Sequence, residues 1–479
     1  MTDPARTAGL VLAAGTATRF GGVKVLAPLD GRPLLAHVLD AARATGLVEI
    51  VVVLGAAREA VSDGVDLTGF RVVVNPNPEA GLSSSLQLGL AALGQADAAL
   101  VLLGDQPLVR RDVMLALLLA EVPAGRSIVV PVYSGGGGGN PALVLRSAWP
   151  LADVLTGDRG FGPVIAAHPE LVVEVRVDGG NPDVDTPGDL AALAWGSRVR
   201  ANREQVDRIR EVGDGDFYSS TSMLFRADPR RPDADDPTLA ALRALARPGE
   251  RWIDIGAGAG RYALPLALAL GADGEVVAVD PSPSMLGGLR EGMVEHEIAN
   301  VRVVEGRWPL ESSPASPSGE SPAAESPYVP PAEVAFIAHV GYDVEKIGPF
   351  LDAMEAAAGR LCVAVLMKRT PASVAESFWP VVHGEARIAL PALPEFVALL
   401  EARGRKPRVR MVERTERTFA DREQALGLLR RQTWVAPDGE KDRRLQAHLD
   451  ERLIPAVGGG FAFRDVPKLE VGIVTWEPR

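Results

Sequence analysis

A single cysteine, Cys362, is the whole thiol content of this 479-residue chain, so no internal disulfide can form and no thiolate metal cluster can assemble. It lies in the apolar run GRLCVAVLM, a setting that suits a packed core residue. Histidines are few and scattered (His37, His168, His296, His339, His383 and His448), with none at an HxxxH-type spacing, which withdraws support from zinc chemistry. No uninterrupted apolar run approaches the roughly 20 residues needed to cross a bilayer, so no membrane partner is expected. The amino-terminal MTDPARTAGLVLAAG meets a glycine-rich loop where a signal peptide would need a longer apolar core and a cleavage site, and a cytoplasmic address is expected. Lys and Arg form no long stripe and the formal net charge is −12, which speaks against nucleic acid as a partner and favours small-molecule substrates.

What is present is strand-helix alternation, twice over. The length exceeds what one hydrophobic core usually organises, so two domains are expected. Short apolar runs (GLVLAA, EIVVVLG, FRVVVNP, AALVLLGD, SIVVPV) are separated by segments such as PLLAHVLDAARATG, the pattern of a mostly parallel sheet buried on both faces. A charged helical stretch, WGSRVRANREQVDRIREVG, then leads to DPRRPDADDP, and the boundary is placed between residues 197 and 198. Alternation restarts at RWIDIGAG and continues through GEVVAVD, VRVVEG, AEVAFIAH, GRLCVAVLM, PRVRMVE and KLEVGIVTWE. Both halves are therefore expected to be α/β. Residues 311–331, ESSPASPSGESPAAESPYVPP, are too rich in Pro, Ser and Glu to pack and read as a mobile insertion.

Three motifs in the first half carry chemistry. In GLVLAAGTATRFGGVK (residues 9–24) a strand that includes Leu12 runs into the small residues Ala13, Ala14 and Gly15, where backbone can approach a ligand and offer N–H groups to phosphates. Arg19 and Lys24 follow, and two cations there can neutralise a triphosphate and the charge that develops at phosphorus. Asp105, in LLGDQP, ends an apolar strand and so falls at its carboxyl edge, where open α/β sheets bind ligands. Asp185 in DVDTPGDL offers a second carboxylate for a hard cation such as Mg²⁺. Asp183 is a weaker candidate, and Asp189 reads as the cap of the helix that begins after Thr186-Pro187. Ser83, Ser84 and Ser85 either bond a base or acceptor or cap the helix LQLGLAAL.

These pieces, in this order, resemble the nucleotidyltransferase superfamily that makes sugar nucleotides and dinucleotide forms of the molybdenum cofactor. NPNPEAGLSSSLQLGL, GDQP, GNPALV and TGDRG look most like its molybdopterin cytidylyltransferase branch. The resemblance covers roughly the first 195 residues. It implies a nucleotide-diphospho-sugar-transferase-like sheet, binding of CTP by the Leu12–Gly15 loop and Ser83, Mg²⁺ on Asp105 and Asp185, and catalysis by Arg19, Lys24 and Asp105. The implied reaction moves CMP to molybdopterin and releases pyrophosphate, with a molybdenum hydroxylase as client. Asn140 stands where the branch has histidine, and Phe161-Gly162 where a small residue and arginine are commoner. Both departures bear on the acceptor.

In the second half, WIDIGAGAGRYALPLA puts Gly256, Gly258 and Gly260 between a strand and a helix, with Asp254 before them and Asp280 closing the next strand. An acid at that point can bond ribose hydroxyls in NAD and S-adenosylmethionine (SAM) sites alike. The pattern followed by VDPSPSML resembles class I SAM-dependent methyltransferases over about residues 200–479. That resemblance implies a seven-stranded Rossmann-like sheet with a reversed final strand pair. It also implies that Asp254 and the glycines cradle the methionine end, that Asp280 holds the ribose and that Glu305 lies near the adenine. His339, Tyr342 and Tyr218 are further candidates for contacts, and the methyl acceptor is unknown. A nucleotidyltransferase for another phosphate acceptor with a C-terminal SAM sensor, or an oxidoreductase built on the first fold, stand as alternatives.

Overall fold

Thr7 to Ala13 has no exposed residue, which fixes the character of the first unit. A computed structural model describes residues 6–15, 20–136, 138–213, 227–310, 329–413, 418–456, 459–464 and 470–479. Most of the insertion, 311–328, and Tyr218 lie outside them, as does Arg19. The first sheet has strands β1 (Thr7–Ala13), β2 (Ile50–Leu54), β3 (Arg71–Val74), β4 (Ala98–Leu103), β5 (Ile128–Tyr133), β6 (Ala142–Leu145) and β7 (Val172–Val177). Their spatial order is β3-β2-β1-β4-β6-β5-β7. β6 alone runs antiparallel to its neighbours, and the other pairs are parallel. Along β1, Leu10 and Leu12 join one core cluster and Val11 and Ala13 the other, so side chains alternate between two covered faces. The helix Leu82–Ala92 lies close on this sheet: a Cβ on Gly89 would come within 2.4 Å of Leu10 Cδ1.

The second sheet repeats the principle with strands β8 (Arg251–Ile255), β9 (Glu275–Asp280), β10 (Val301–Glu305), β11 (Ala332–Ala338), β12 (Ala358–Met367), β13 (Arg408–Glu413) and β14 (Glu470–Trp476). The order is β10-β9-β8-β11-β12-β14-β13, with β14 antiparallel to both of its neighbours. Ile253, Val277 and Ile337 pack on one face, Trp252, Val276 and Phe336 on the other. A separate apolar cluster, centred on Phe378, Leu429, Leu445 and Phe463, forms a small lobe from the segments after β12 and between β13 and β14. Among the described residues no helix is long and apolar enough to cross a membrane.

The chain divides into compact units at Leu190/Ala191, earlier than the change in composition suggests and inside the helix Pro187–Ile209. The reason is packing: Trp195 and Val199 are buried in the second unit's core, and Trp195 Nε1 donates to Val344 O at 3.1 Å.

At the edge of that core Glu355 accepts from Arg405 Nε at 2.8 Å and from Trp476 Nε1 at 3.1 Å, and its other oxygen accepts from Arg405 Nη2. The ion-paired side chains are 10% and 5% exposed, so removing the acid strands a buried cation and an indole N–H. Glu355→Ala should destabilise the full chain by about 3–5 kcal/mol, read as a lower urea midpoint, and Glu355→Gln should cost less because it keeps an acceptor.

Candidate functional site

In the first unit the carboxyl ends of β1, β2 and β4 come together. Gly55, just after β2, makes room for the loop after β1, since a Cβ there would stand 2.6 Å from Ala14 O. Leu12, Ala13 and Ala14 are buried and Gly15 is exposed, with open space where its Cβ would be. Lys24 opens a short 3₁₀ turn, Lys24–Leu26, and its Nζ lies 2.6 Å from Asp105 Oδ2 and 3.0 Å from Asp185 Oδ1. Burial works against that charge, but the two carboxylates outweigh it and hold the Lys24 pKa above the usual lysine value. Residues from opposite ends of the unit thus meet on one ammonium group.

Behind this cluster is a polar network that the motif reading did not contain. Gln106 and Asn181 are almost fully buried. Gln106 Nε2 donates to Asp183 Oδ1 at 2.7 Å, and Asn181 Nδ2 donates to Gln106 Oε1 at 3.1 Å and to Asn140 O at 3.4 Å. Burial and the nearby Asp105 and Asp185 push the Asp183 carboxyl above its ordinary range, against the Gln106 hydrogen bond. Neighbouring buried amides in GDQP and NPDVDTP were the signal in the sequence, one that only spatial proximity makes readable. Asp189 is a cap: its Oδ2 accepts from Thr186 N at 2.8 Å, and Thr186 Oγ1 accepts from Asp189 N at 3.1 Å. Ser84 and Ser85 accept from Asn75 Nδ2 at 2.8 and 2.9 Å, and Ser83 is buried with its N–H on Gly157 O at 3.1 Å. A cavity of about 310 Å³ opens at the same sheet edge, lined by Leu12, Leu86, Leu103, Asn140, Arg159 and Phe161 among others.

In the second unit the turn after β8 is built on Asp280. Its Oδ2 accepts from Gly258 N at 2.9 Å and its Oδ1 from Ser282 N at 2.8 Å. Gly256, Gly258 and Gly260 all have positive φ, and a Cβ on Gly256 would meet Val340 Cγ2 at 2.4 Å, so glycine is required on two grounds. Asp254 is buried on β8. Glu305 is exposed at the end of β10, in register with Asp280. Tyr342 is taken up by the fold: its hydroxyl accepts from Met367 N at 2.7 Å. His339, at the end of β11, has φ 58° and donates its N–H to Val365 O at 2.8 Å. A larger concavity of about 620 Å³ lies between Glu275 and Asn300, at the amino edge of β9 and so away from the glycine turn.

Residues 9–172 match the family described as MobA-like NTP transferase domain. A nicotine blue oxidoreductase of Paenarthrobacter nicotinovorans is 33% identical over 204 residues, 40% of this chain and 98% of that protein. The chain belongs to the MobA-like NTP transferase family. Residues 253–317 match the family described as methyltransferase domain. Bifunctional protein GlmU of Paraburkholderia xenovorans is 41% identical over 258 residues, 47% of this chain and 56% of that protein, so the chain spans about half the length of that relative. A solved homologue of Mycobacterium tuberculosis Rv0371c, from Mycobacterium sp. strain JC1, is 33% identical and covers 41% of this chain and 98% of that one, with a TM-score of 0.38. A MobA-like transferase domain and a methyltransferase domain therefore share this chain, and both are transferase folds.

In the methyltransferase domain Asp254 is fully buried, and burial, helped by the charge of Asp280, raises its carboxyl well above the ordinary value. The fold thus favours the protonated form, and stability of the ligand-free chain falls as pH rises from about 4 through the raised value. Asp254→Asn should flatten that slope and raise the urea midpoint at neutral pH. Equal slopes in the two chains would show that Asp254 does not titrate as its burial implies.

Proposed function

We propose that the MobA-like domain transfers CMP from CTP to the terminal phosphate of molybdopterin, with Mg²⁺ and release of pyrophosphate, and that the methyltransferase domain moves a methyl group from SAM to a small molecule. A cytoplasmic address and a molybdenum hydroxylase client go with this reading. One observation carries its first half: the Lys24 ammonium held between Asp105 and Asp185 at the carboxyl edge of the sheet. The donor set fits a hard divalent cation, because two carboxylates already converge on one positive charge and a third, Asp183, is crowded beside them. Asp105 and Asp185 would hold the metal, which when bound neutralises phosphate charge and polarises the phosphoryl group under attack.

The chain's own groups do the rest. Backbone N–H groups near Gly15 meet the phosphates, Lys24 turns from its carboxylates to the charge that grows as the α-phosphorus changes partners, and alignment of the acceptor phosphate needs no covalent intermediate. In the methyltransferase domain the glycine turn admits a ligand against the backbone. Asp280, which holds Gly258 N and Ser282 N, lies at the carboxyl end of β9, where a carboxylate can meet ribose hydroxyls. Methyl transfer can proceed by proximity and alignment.

The nearly complete coverage of nicotine blue oxidoreductase favours one second reading, a redox reaction in the MobA-like domain. NAD(P)H oxidation without pyrophosphate release would select it. With CTP, Mg²⁺ and molybdopterin, mass spectrometry should find the cytidine dinucleotide product. Asp105→Ala should lower metal-dependent pyrophosphate release about 100-fold or more and leave SAM affinity intact. Asp280→Ala should weaken SAM binding about 10- to 100-fold, measured by calorimetry, and leave pyrophosphate release unchanged.

A further inference from the structure

Arg387 in the second unit carries a charge that no described carboxylate pairs with. It is half-buried. Its guanidinium lies over the ring of Trp379, 4.7 Å from the centroid, and Nη1 donates to Ala372 O at 2.7 Å. No carboxylate among the described residues is within ion-pair distance of it. Among the described residues the one acid that acts on it electrostatically, Glu376, is already ion-paired with Arg369. Burial pulls the Arg387 pKa down to about 10. Lowered or not, an arginine stays charged at neutral pH, and a charge removed from water is costly unless an anion meets it.

Its surroundings are fixed. Trp379 is fully buried, and among the described residues its Nε1 has no hydrogen-bond partner, a second donor without an acceptor there. The backbone on either side of Arg387 is tied to the helix Pro187–Ile209 by buried amides. Gln205 Nε2 donates to Ala386 O at 2.8 Å, Gln205 Oε1 accepts from Ile388 N at 2.8 Å, and Asn202 Nδ2 donates to Ile388 O at 2.5 Å. A flexible surface arginine would need no such scaffold. The segment departs from the end of β12 at Met367, on the sheet edge where β8 gives way to the glycine turn and β9 ends in Asp280.

We infer that Arg387, on its Trp379 platform, binds an oxyanion, a carboxylate or phosphate carried by the molecule that the methyltransferase domain methylates. The acceptor role rests on the methyl-transfer reading above; the anion site does not. Guanidinium geometry suits both oxyanions, which it can grip with two parallel N–H groups.

Thermal unfolding of the full chain in phosphate, acetate or chloride at equal ionic strength tests this, with Arg387→Met and Arg387→Lys beside wild type. Phosphate or acetate should raise the wild-type midpoint by about 2–4 °C over chloride, and whichever acts more strongly identifies the oxyanion class. Arg387→Met should lose that increment, and Arg387→Lys, which keeps the charge but not the fork, should retain only part of it. Comparison between chains cancels phosphate binding by the first unit. An increment absent in wild type, or equal in wild type and Arg387→Met, overturns the proposal; should Arg387→Met fail to fold, an undiminished increment in Arg387→Lys does the same. A wild-type chain that shows the Arg387-dependent increment but binds no SAM in calorimetry keeps the anion site and overturns its acceptor role.

Discussion

Strands covered on both faces leave polar side chains one place to stay, the edge where their carbonyl ends emerge. Both sheets obey this constraint. Along β1 and β8 the side chains divide between two apolar clusters, so chemistry cannot be placed mid-strand without burying it. Asp105 escapes by lying just past the last residue of β4, and Asp280, buried at the last residue of β9, is met there by two backbone N–H groups. Asp254 does not escape, and its displaced pKa is the result.

The two edges solve different electrostatic problems. In the MobA-like domain three carboxylates are gathered and the Lys24 ammonium is drawn in among them. In the methyltransferase domain a single carboxylate is spent on the backbone, holding Gly258 and Ser282. There the acid shapes a turn. A side chain that braces its own loop cannot be changed without changing the loop.

Much of this was legible in the order of residues. Runs such as GLVLAA and GEVVAVD announce buried parallel strands, and Asp105 is placed by the end of β4, but Lys24, in a 3₁₀ turn, and Asp185, just before the helix Pro187–Ile209, are brought to it only by the fold. β6 was harder, because ALVL is only four residues long and follows GNP, where it reads as part of a ligand loop. β7, VVEVRV, alternates and lies at the sheet edge with its side chains half exposed, unlike the continuous apolar runs beside it. The Gln106–Asn181–Asp183 network and the setting of Arg387 join residues tens of positions apart or more. No local pattern encodes such meetings; they are products of packing.

The helix Pro187–Ile209 has a consequence for how the chain can be dissected. Composition changes near residue 197, yet Trp195 is built into the second core, with its ring 6.1 Å from that of Phe396. A fragment begun at residue 198 would lose that indole and open a void the size of the largest side chain. The complementary fragment would carry the same indole as an uncovered apolar tail, prone to self-association. The two coding segments are therefore not interchangeable cassettes at the point where their sequences part; the seam that survives cutting lies upstream, before the helix turns its apolar side to the second sheet.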